Sequence, residues 1–520
     1  MFGTRGAVAT AQPLAAQAGM FILRAGGNAI DAAIATAMAL TVVEPTSNGI
    51  GSDAFALVWT GGALHGLNAS GRAPALATLD SFGTLGHAKV PDLGWLPVTV
   101  PGAVSAWAAL HERFGRLPFE QLAAPAIELA ERGFAVGPVV AKFWRLALEK
   151  YTREASGPEF AGWYSTFAPS GQTPEPGQVV RLPDHGATLR EIASSKGRAF
   201  YEGRLAEATD RFSAATGGLL RGGDLAAHTP TWVDPISTGY RGFDVWEIPP
   251  NGHGVCALNA LNILEGFPFD ESSFDDPYTW HLQIEAMKLA FADASAYVAD
   301  PDFADVPTIG LLDKTYAATR RALITDEASL PEPGDPPRGG TVYLCTADGD
   351  GNMVSFIQSN YEGFGSAVVV PGTGIALQNR GANFSLQASH PNVLAPGKRP
   401  YHTIIPGFLT RDDTPVGPFG VMGGFMQPQG HTQVVLRTVD QRLLPQATLD
   451  APRWRWEHGR VVWVEQRTPR PIIDDLLARG HDVKVVTEPS AFGRGQIIWR
   501  HGDTLVAGSE SRADGQAVVW

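Results

Sequence analysis

The sequence predicts a large mixed α and β fold around a hydrophobic core, and three observations predict it. First, 520 residues with 44% apolar and 18% charged content suit a globular chain. That length is too great for one small core and calls for several domains or one large layered one. Second, the run from Ala29 to Val43 is apolar nearly all round, the pattern of a helix covered on every side. Third, Thr341 to Thr346 and Met353 to Ile357 are strand-forming runs joined by a turn with sequence Asp348-Gly349-Asp350-Gly351-Asn352, which predicts a β-hairpin.

The first strong segment spans Ala11 to Val43 and is interrupted at Gly26-Gly27. Asn28 is placed to cap the second helix, with Asp31 in its first turn, and Glu44-Pro45 ends it. A glycine-rich turn, Asn48 to Asp53, leads into a strand near Ala54 to Trp59. Val104 to Phe114 and Phe119 to Arg132 read as helices punctuated by Gly115 and Pro118. The stretch from Ala141 to Pro183 is mixed and gives no clear element. Tyr278 to Ala299 predicts a long amphipathic helix with Leu282, Ala286, Leu289 and Ala290 near one stripe. Ser329 to Gly340 carries four prolines and three glycines. It reads as an exposed loop of the kind that tolerates cutting. No internal repeat is present.

Composition narrows the function classes. The formal charge of −13 repels phosphate backbones, so no nucleic acid partner is expected. Two cysteines, Cys256 and Cys345, can neither staple a chain of this size nor build a cysteine-rich zinc site. Neither a secretory signal nor a membrane-spanning run is evident, so a cytoplasmic protein without membrane attachment is expected. Asp348 to Ser359 resembles the opening of a calcium loop but has Met353 and Ser359 where glycine and glutamate are needed. The histidines lack metalloprotease helix spacing. The glycines at 49 and 51 lack the third glycine of a dinucleotide fingerprint. No cofactor and no metal are expected.

Centring the hairpin on Asp350 opposes Thr341 to Ser359, within one residue of register. Two hydroxyls then meet at the mouth of a hairpin whose first residue follows Gly339-Gly340. A threonine hydroxyl becomes nucleophilic when a base takes its proton, and a free α-amine, with a pKa near 8, is such a base. Cutting the Gly340–Thr341 bond would free that amine, and Gly340 allows the backbone geometry a cut requires. On spacing alone, an exposed loop running into an ordinary edge hairpin is the commoner arrangement.

Longer stretches decide between these. Thr341 to Ser366, with its Asp348-x-x-Gly351-Asn352 turn and Phe364-Gly365-Ser366, resembles the start of the small subunit of γ-glutamyltransferases. Arg24 to Ala33, Val43-Glu44-Pro45 and Gly49-Ile50-Gly51 resemble the family's N-terminal signature. Val98 to Trp107, His111 to Leu117, Tyr240-Arg241-Gly242, Glu285 to Asp300, Lys398-Arg399-Pro400 and Gly423-Gly424 follow in the family's order. The resemblance implies an α+β, four-layer αββα sandwich, the N-terminal nucleophile hydrolase fold. It implies one precursor cut into residues 1–340 and 341–520, two intertwined chains of a single domain. A heterodimer is expected, with a dimer of heterodimers as a further assembly. Thr341 would form an acyl-enzyme on an amide substrate, Ser359 would hydrogen-bond the nucleophile, and the N–H groups of Gly423 and Gly424 would hold the oxyanion.

The amino-acid clamp of the family is altered. Ser70 stands where an arginine belongs before Ala73-Pro74, with Arg72 close by. Tyr361 replaces an asparagine, Arg380 a glutamine and Asn383 the aspartate that would bind an ammonium. His402 and Thr403 stand at two serines. Asp to Asn removes the charge that pairs with an amine, and a new arginine adds a fork suited to a carboxylate. The expected substrate is a small-molecule amide bearing a carboxylate, as in oxamate-type amidohydrolases or acylases. A true γ-glutamyl transferase is the alternative within the family, and an uncleaved binding relative the alternative outside catalysis. A structural salt bridge is the other reading of Arg380. Cys345, on the same strand face as Thr341, is either a core residue or a rival nucleophile.

Overall fold

The hairpin forms with the expected register, Val342 opposite Gln358 and Ala347 opposite Met353, in a computed structural model that describes residues 1–83, 86–331 and 342–520. The expected cleavage-site residues Gly340 and Thr341 lie outside the described residues. Asp348 fixes the turn, its carboxylate accepting from Asn352 N at 3.0 Å and Nδ2 at 2.8 Å. Its strands, Val342–Asp348 and Met353–Ser359, are central rather than at an edge. The seven-stranded sheet runs Gln516–Val519, Gly6–Thr10, Val342–Asp348, Met353–Ser359, Asp53–Thr60, Ala63–Asn68, Thr231–Val233, each strand antiparallel to the next. Every residue of Met353–Ser359 is buried, because its backbone is paired on both sides and its two faces are covered.

A second seven-stranded sheet faces the first, in the order Phe2–Gly3, Thr504–Ser509, Arg494–His501, Thr414–Met422, Gly407–Arg411, Phe243–Glu247, Ile236–Tyr240. The sheets touch closely at Gly420. A Cβ there would lie 2.6 Å from the Tyr343 ring, so only glycine lets that ring pack flat between the layers. Helices Pro13–Arg24 and Ala29–Val43 cover the outer face of the first sheet, and Phe119–Arg132 packs on Ala29–Val43. Gly254–Leu264 and Met426–Val439 cover the second, with Pro277–Tyr297 stacked outside. The result is the expected four-layer αββα sandwich.

The helix Ala29–Val43 has all of its residues buried. Its first turn is closed by a reciprocal pair: Asn28 Oδ1 accepts from Asp31 N at 2.8 Å and Asp31 Oδ2 from Asn28 N at 3.2 Å. Asp31 also accepts from the backbone N–H groups of Arg116 and Leu117, so a buried carboxylate ties two helical segments together. The helix Pro277–Tyr297 departs from the expected amphipathic pattern. Trp280, Ile284 and Met287 are buried, and so are the polar His281, Gln283, Glu285 and Lys288, because the helix is sandwiched between Gly254–Leu264 and Arg470–Ala478. The mixed stretch contains helices Pro138–Glu154 and Ala161–Phe167. No described helix is long and apolar enough to cross a membrane.

Candidate active site

Ser359 ends its strand directly opposite Asp53, the first residue of Asp53–Thr60. Residues opposed across an antiparallel pair project from the same face, so both side chains point to one spot, and both are buried. Ser359 Oγ accepts from Tyr361 N at 2.8 Å. Asp53 Oδ1 accepts from Gly71 N at 3.1 Å, and Oδ2 lies 3.1 Å from His402 Nε2. Burial pushes the Asp53 carboxyl up to about 7, against the pull of Arg380, the Gly71 and Gly102 N–H groups and Arg399. Burial, with Arg380 next, holds the His402 imidazole well below its ordinary range. Neutral His402 thus donates Nε2–H to Asp53 and accepts at Nδ1 from Ile404 N at 3.4 Å. Sequence reasoning did not single out Asp53. The available signal was an ionisable residue between a glycine turn and an apolar strand.

Arg380 begins the short turn Arg380–Asn383. The glycine turn near the N-terminus seats this segment: a Cβ on Gly51 would lie 2.3 Å from Ala376 O, and Gly51 O accepts from Gln378 N at 3.1 Å. The Arg380 side chain is fully buried. Its Nη1 donates to Thr403 Oγ1 at 2.6 Å, and its guanidinium carbon sits 4.3 Å from the centre of the Tyr361 ring. Nε and Nη2 have no acceptor among the described residues. Burial lowers its pKa to about 10, opposed by Tyr361, Asp53 and Glu362, so it stays protonated at neutral pH. Tyr361 has a left-handed backbone, φ 77°, and its phenol oxygen is buried without a partner among the described residues.

The other expected binding residues divide. His402 serves Asp53 and Thr403 serves Arg380. Asn383 Nδ2 donates to Tyr401 O at 3.0 Å while its Oδ1 has no partner among the described residues. It lines a cavity of about 640 Å³ together with Glu362, Phe384, Tyr401 and Phe425. Burial, reinforced by Asp92, pushes the Glu362 carboxyl up to about 7. Ser70 is buried in an amide network, with Oγ 2.7 Å from Asn68 Oδ1 and its carbonyl accepting from Arg399 Nε at 3.1 Å. Arg72 is committed to Asp302 at 2.7 Å, Asp300 at 3.4 Å and Gly397 O at 2.9 Å, so it braces loops. Gly423 and Gly424 link Thr414–Met422 to the helix Met426–Val439, with φ of 137° and 59°. Their carbonyl oxygens accept from Met426 and Gln427 N–H at 3.0 Å.

Both cysteines are buried, and burial pushes both thiols well up, which suits core residues rather than thiolate nucleophiles. Among the described residues, His281, Glu285 and His481 bring ligand atoms within 4.8 Å of one another. Glu285 is already engaged there, by Lys288 Nζ at 2.7 Å and by the N–H of Ser329 at 3.1 Å. An ammonium in that position does not fit a cation site.

The family model described as gamma-glutamyltranspeptidase matches residues 15–520. The chain is 37% identical to the glutathione hydrolase-like YwrD proenzyme of Bacillus subtilis, over 100% of this chain and 99% of that protein. It is 36% identical to the oxamate amidohydrolase proenzyme of Klebsiella pneumoniae, over 99% of each. The crystal structure of cephalosporin acylase from Bacillus halodurans superposes with a TM-score of 0.97 at 57% identity, covering 100% of this chain and 96% of that one. The chain therefore belongs to the gamma-glutamyltranspeptidase family and is an N-terminal-nucleophile hydrolase of amide bonds.

Proposed function

We propose that the chain is cut between Gly340 and Thr341, and that the freed Thr341 hydrolyses amides whose acyl group carries a carboxylate. The observation that carries this reading is Arg380. A fully buried guanidinium with two donor nitrogens that lack an acceptor among the described residues is costly unless an anion completes it. Its Nε and Nη2 are the fork that a carboxylate accepts from. Asn383 offers no charge for an ammonium, which favours an acid lacking the α-amine over a γ-glutamyl donor.

In this reading the Thr341 α-amine takes the proton of its own hydroxyl as the oxygen attacks the substrate carbonyl carbon. The N–H groups of Gly423 and Gly424 stabilise the oxyanion, and Ser359 orients the nucleophile. The carbon–nitrogen bond breaks, the leaving amine takes the proton, and an ester to Thr341 remains. Water then attacks that ester, passing its proton to the α-amine, which hands it to Thr341 Oγ as the carbon–Oγ bond breaks and the acid is released. The hairpin register supports these roles, since Thr341 is bonded to Val342, whose partner Gln358 precedes Ser359. The roomy, aromatic-walled cavity beside Asn383 suits a bulky leaving amine. That favours acylase chemistry over an oxamate-type reaction whose leaving group is ammonia.

Intact mass under denaturing conditions tests the first half. Two fragments of residues 1–340 and 341–520, and an uncut Thr341→Ala variant, are expected. A single uncut chain in folded wild type would replace this reading with the binding-relative alternative. Rates on glutaryl, butyryl and γ-glutamyl anilides test the second half, with glutaryl expected fastest. Faster γ-glutamyl turnover would restore the transferase alternative.

A further inference from the structure

Asp53 has no place in the mechanism above, yet its partner His402 adjoins Thr403, which holds the group that reads the substrate. It is buried opposite Ser359. His402 Nε2 holds its Oδ2 at 3.1 Å, and Gly71 N holds its Oδ1 at the same distance. Among the described residues, the charged and titratable groups that act on it include Arg380 from the turn after Gln378, Arg399 and His402 from the segment before Gly407–Arg411, and Tyr201 from the helix Arg198–Glu202. The segment that carries His402 also carries Thr403, the hydrogen-bond partner of Arg380. Asp53 therefore acts on Arg380 in two ways, by seating the segment that carries its partner Thr403 and by supplying negative charge within its field.

We propose that Asp53 is the resident counter-charge of Arg380 and a specificity-determining positioning residue, so that the substrate carboxylate competes with Asp53 for one buried positive charge. This rests on the reading of Arg380 as the carboxylate site. Two anions around one guanidinium in a water-poor pocket repel, and the pair relaxes when one of them is protonated. Substrate itself, a carboxylic acid of ordinary strength, stays ionised near neutral pH, while buried Asp53 titrates there. Carboxylate ligands therefore bind with uptake of a proton at Asp53, and they bind more weakly as Asp53 ionises. The hydrogen bond from His402 survives protonation at Oδ1, because Oδ2 is then the carbonyl oxygen and still accepts from Nε2–H while Nδ1 keeps its bond from Ile404 N. Asp53 is not a proton donor to the reaction; it adjusts what Arg380 accepts.

Inhibition constants for butyrate and for its neutral counterpart butyramide, measured against turnover of a glutaryl anilide, test this. Butyrate carries one charge and so does not also engage the Thr341 amine. For wild type, the butyrate constant is expected to rise roughly tenfold between pH 6 and pH 8.5, the scale of one like-charge contact at intermediate dielectric. The butyramide constant should stay flat. In Asp53→Asn the butyrate constant should stay near the wild-type value at pH 6 across the range. An unchanged rise in Asp53→Asn would overturn the role of Asp53 and leave Arg380 as the carboxylate site. Equal binding of butyrate and butyramide by wild type at pH 6 would overturn both. Should the variant fail to fold, calorimetry of butyrate binding to wild type at pH 7.5 in buffers of different ionisation enthalpy decides the matter. Net proton uptake supports the proposal, and no exchange of protons sinks it.

Discussion

At the scale of single residues, chemistry turns on which buried polar atoms are satisfied. Arg72 and Arg380 both looked suited to a carboxylate from sequence, but Arg72 is spent on Asp300 and Asp302, whereas Nε and Nη2 of Arg380 have no acceptor among the described residues. A lysine cannot reproduce a planar fork held over the Tyr361 ring. Arg380→Lys should therefore raise KM for a glutaryl anilide by about tenfold or more, the value of one or two charge-assisted hydrogen bonds. Its preference for glutaryl over butyryl anilide should collapse, and a variant that keeps this preference would return Arg380 to a structural role. Cys345 makes the opposite case. Its thiol is fully buried and held protonated, so Cys345→Ala should retain turnover within about threefold, while Thr341→Ala abolishes it. The native thiol should also resist alkylation until the protein is unfolded. Rapid labelling of Cys345 in folded enzyme would contradict this account.

At the scale of elements, local sequence and tertiary contact work together at the start of the helix Ala29–Val43. Asn28 caps it, and Asp31 binds both that cap and the backbone of Arg116 and Leu117. Replacing Asn28 by Ala leaves the buried Asp31 N–H unpaired, and also removes the Nδ2 donor to Phe114 O at 2.7 Å. A loss of about 1–2 kcal/mol is expected. The readout is a fall of a few degrees in the melting temperature of the uncut Thr341→Ala precursor, compared with the same precursor carrying Asn28. No shift would mean that water replaces the cap. The predicted hairpin was correct in register because its turn is local and its alternation unambiguous. Its central position was not legible in the sequence, because neighbours from residues 6–10 and 53–60 are far away in sequence.

At the scale of the whole molecule, the strand Val342–Asp348 is paired on one side with Gly6–Thr10 and on the other with Met353–Ser359, which in turn pairs with Asp53–Thr60. The second sheet likewise mixes strands from before and after the linker. A cut at Gly340–Thr341 therefore leaves two pieces that share both sheets and one core. They should co-elute as a single species on size exclusion in native buffer and separate only in denaturant. Dissociation in native buffer would show that the shared sheets do not hold the pieces together.

The sequence by itself determined the mixed fold, the buried helix with its cap, the hairpin register and the family, because each depends on local pattern or on ordered motifs. It also placed Arg380, Thr403, Tyr361, His402 and Ser359 among the candidate residues. Only the tertiary structure decided what each does. It paired Arg72 away, left Nε and Nη2 of Arg380 without an acceptor among the described residues, and gave Thr403 to Arg380 and His402 to Asp53. It also brought Asp53 opposite Ser359 from 306 positions away in the chain. The physical reason is that a polar side chain's role depends on whether its hydrogen bonds are met once water is gone. Those partners come from strands and turns that chain order does not place together.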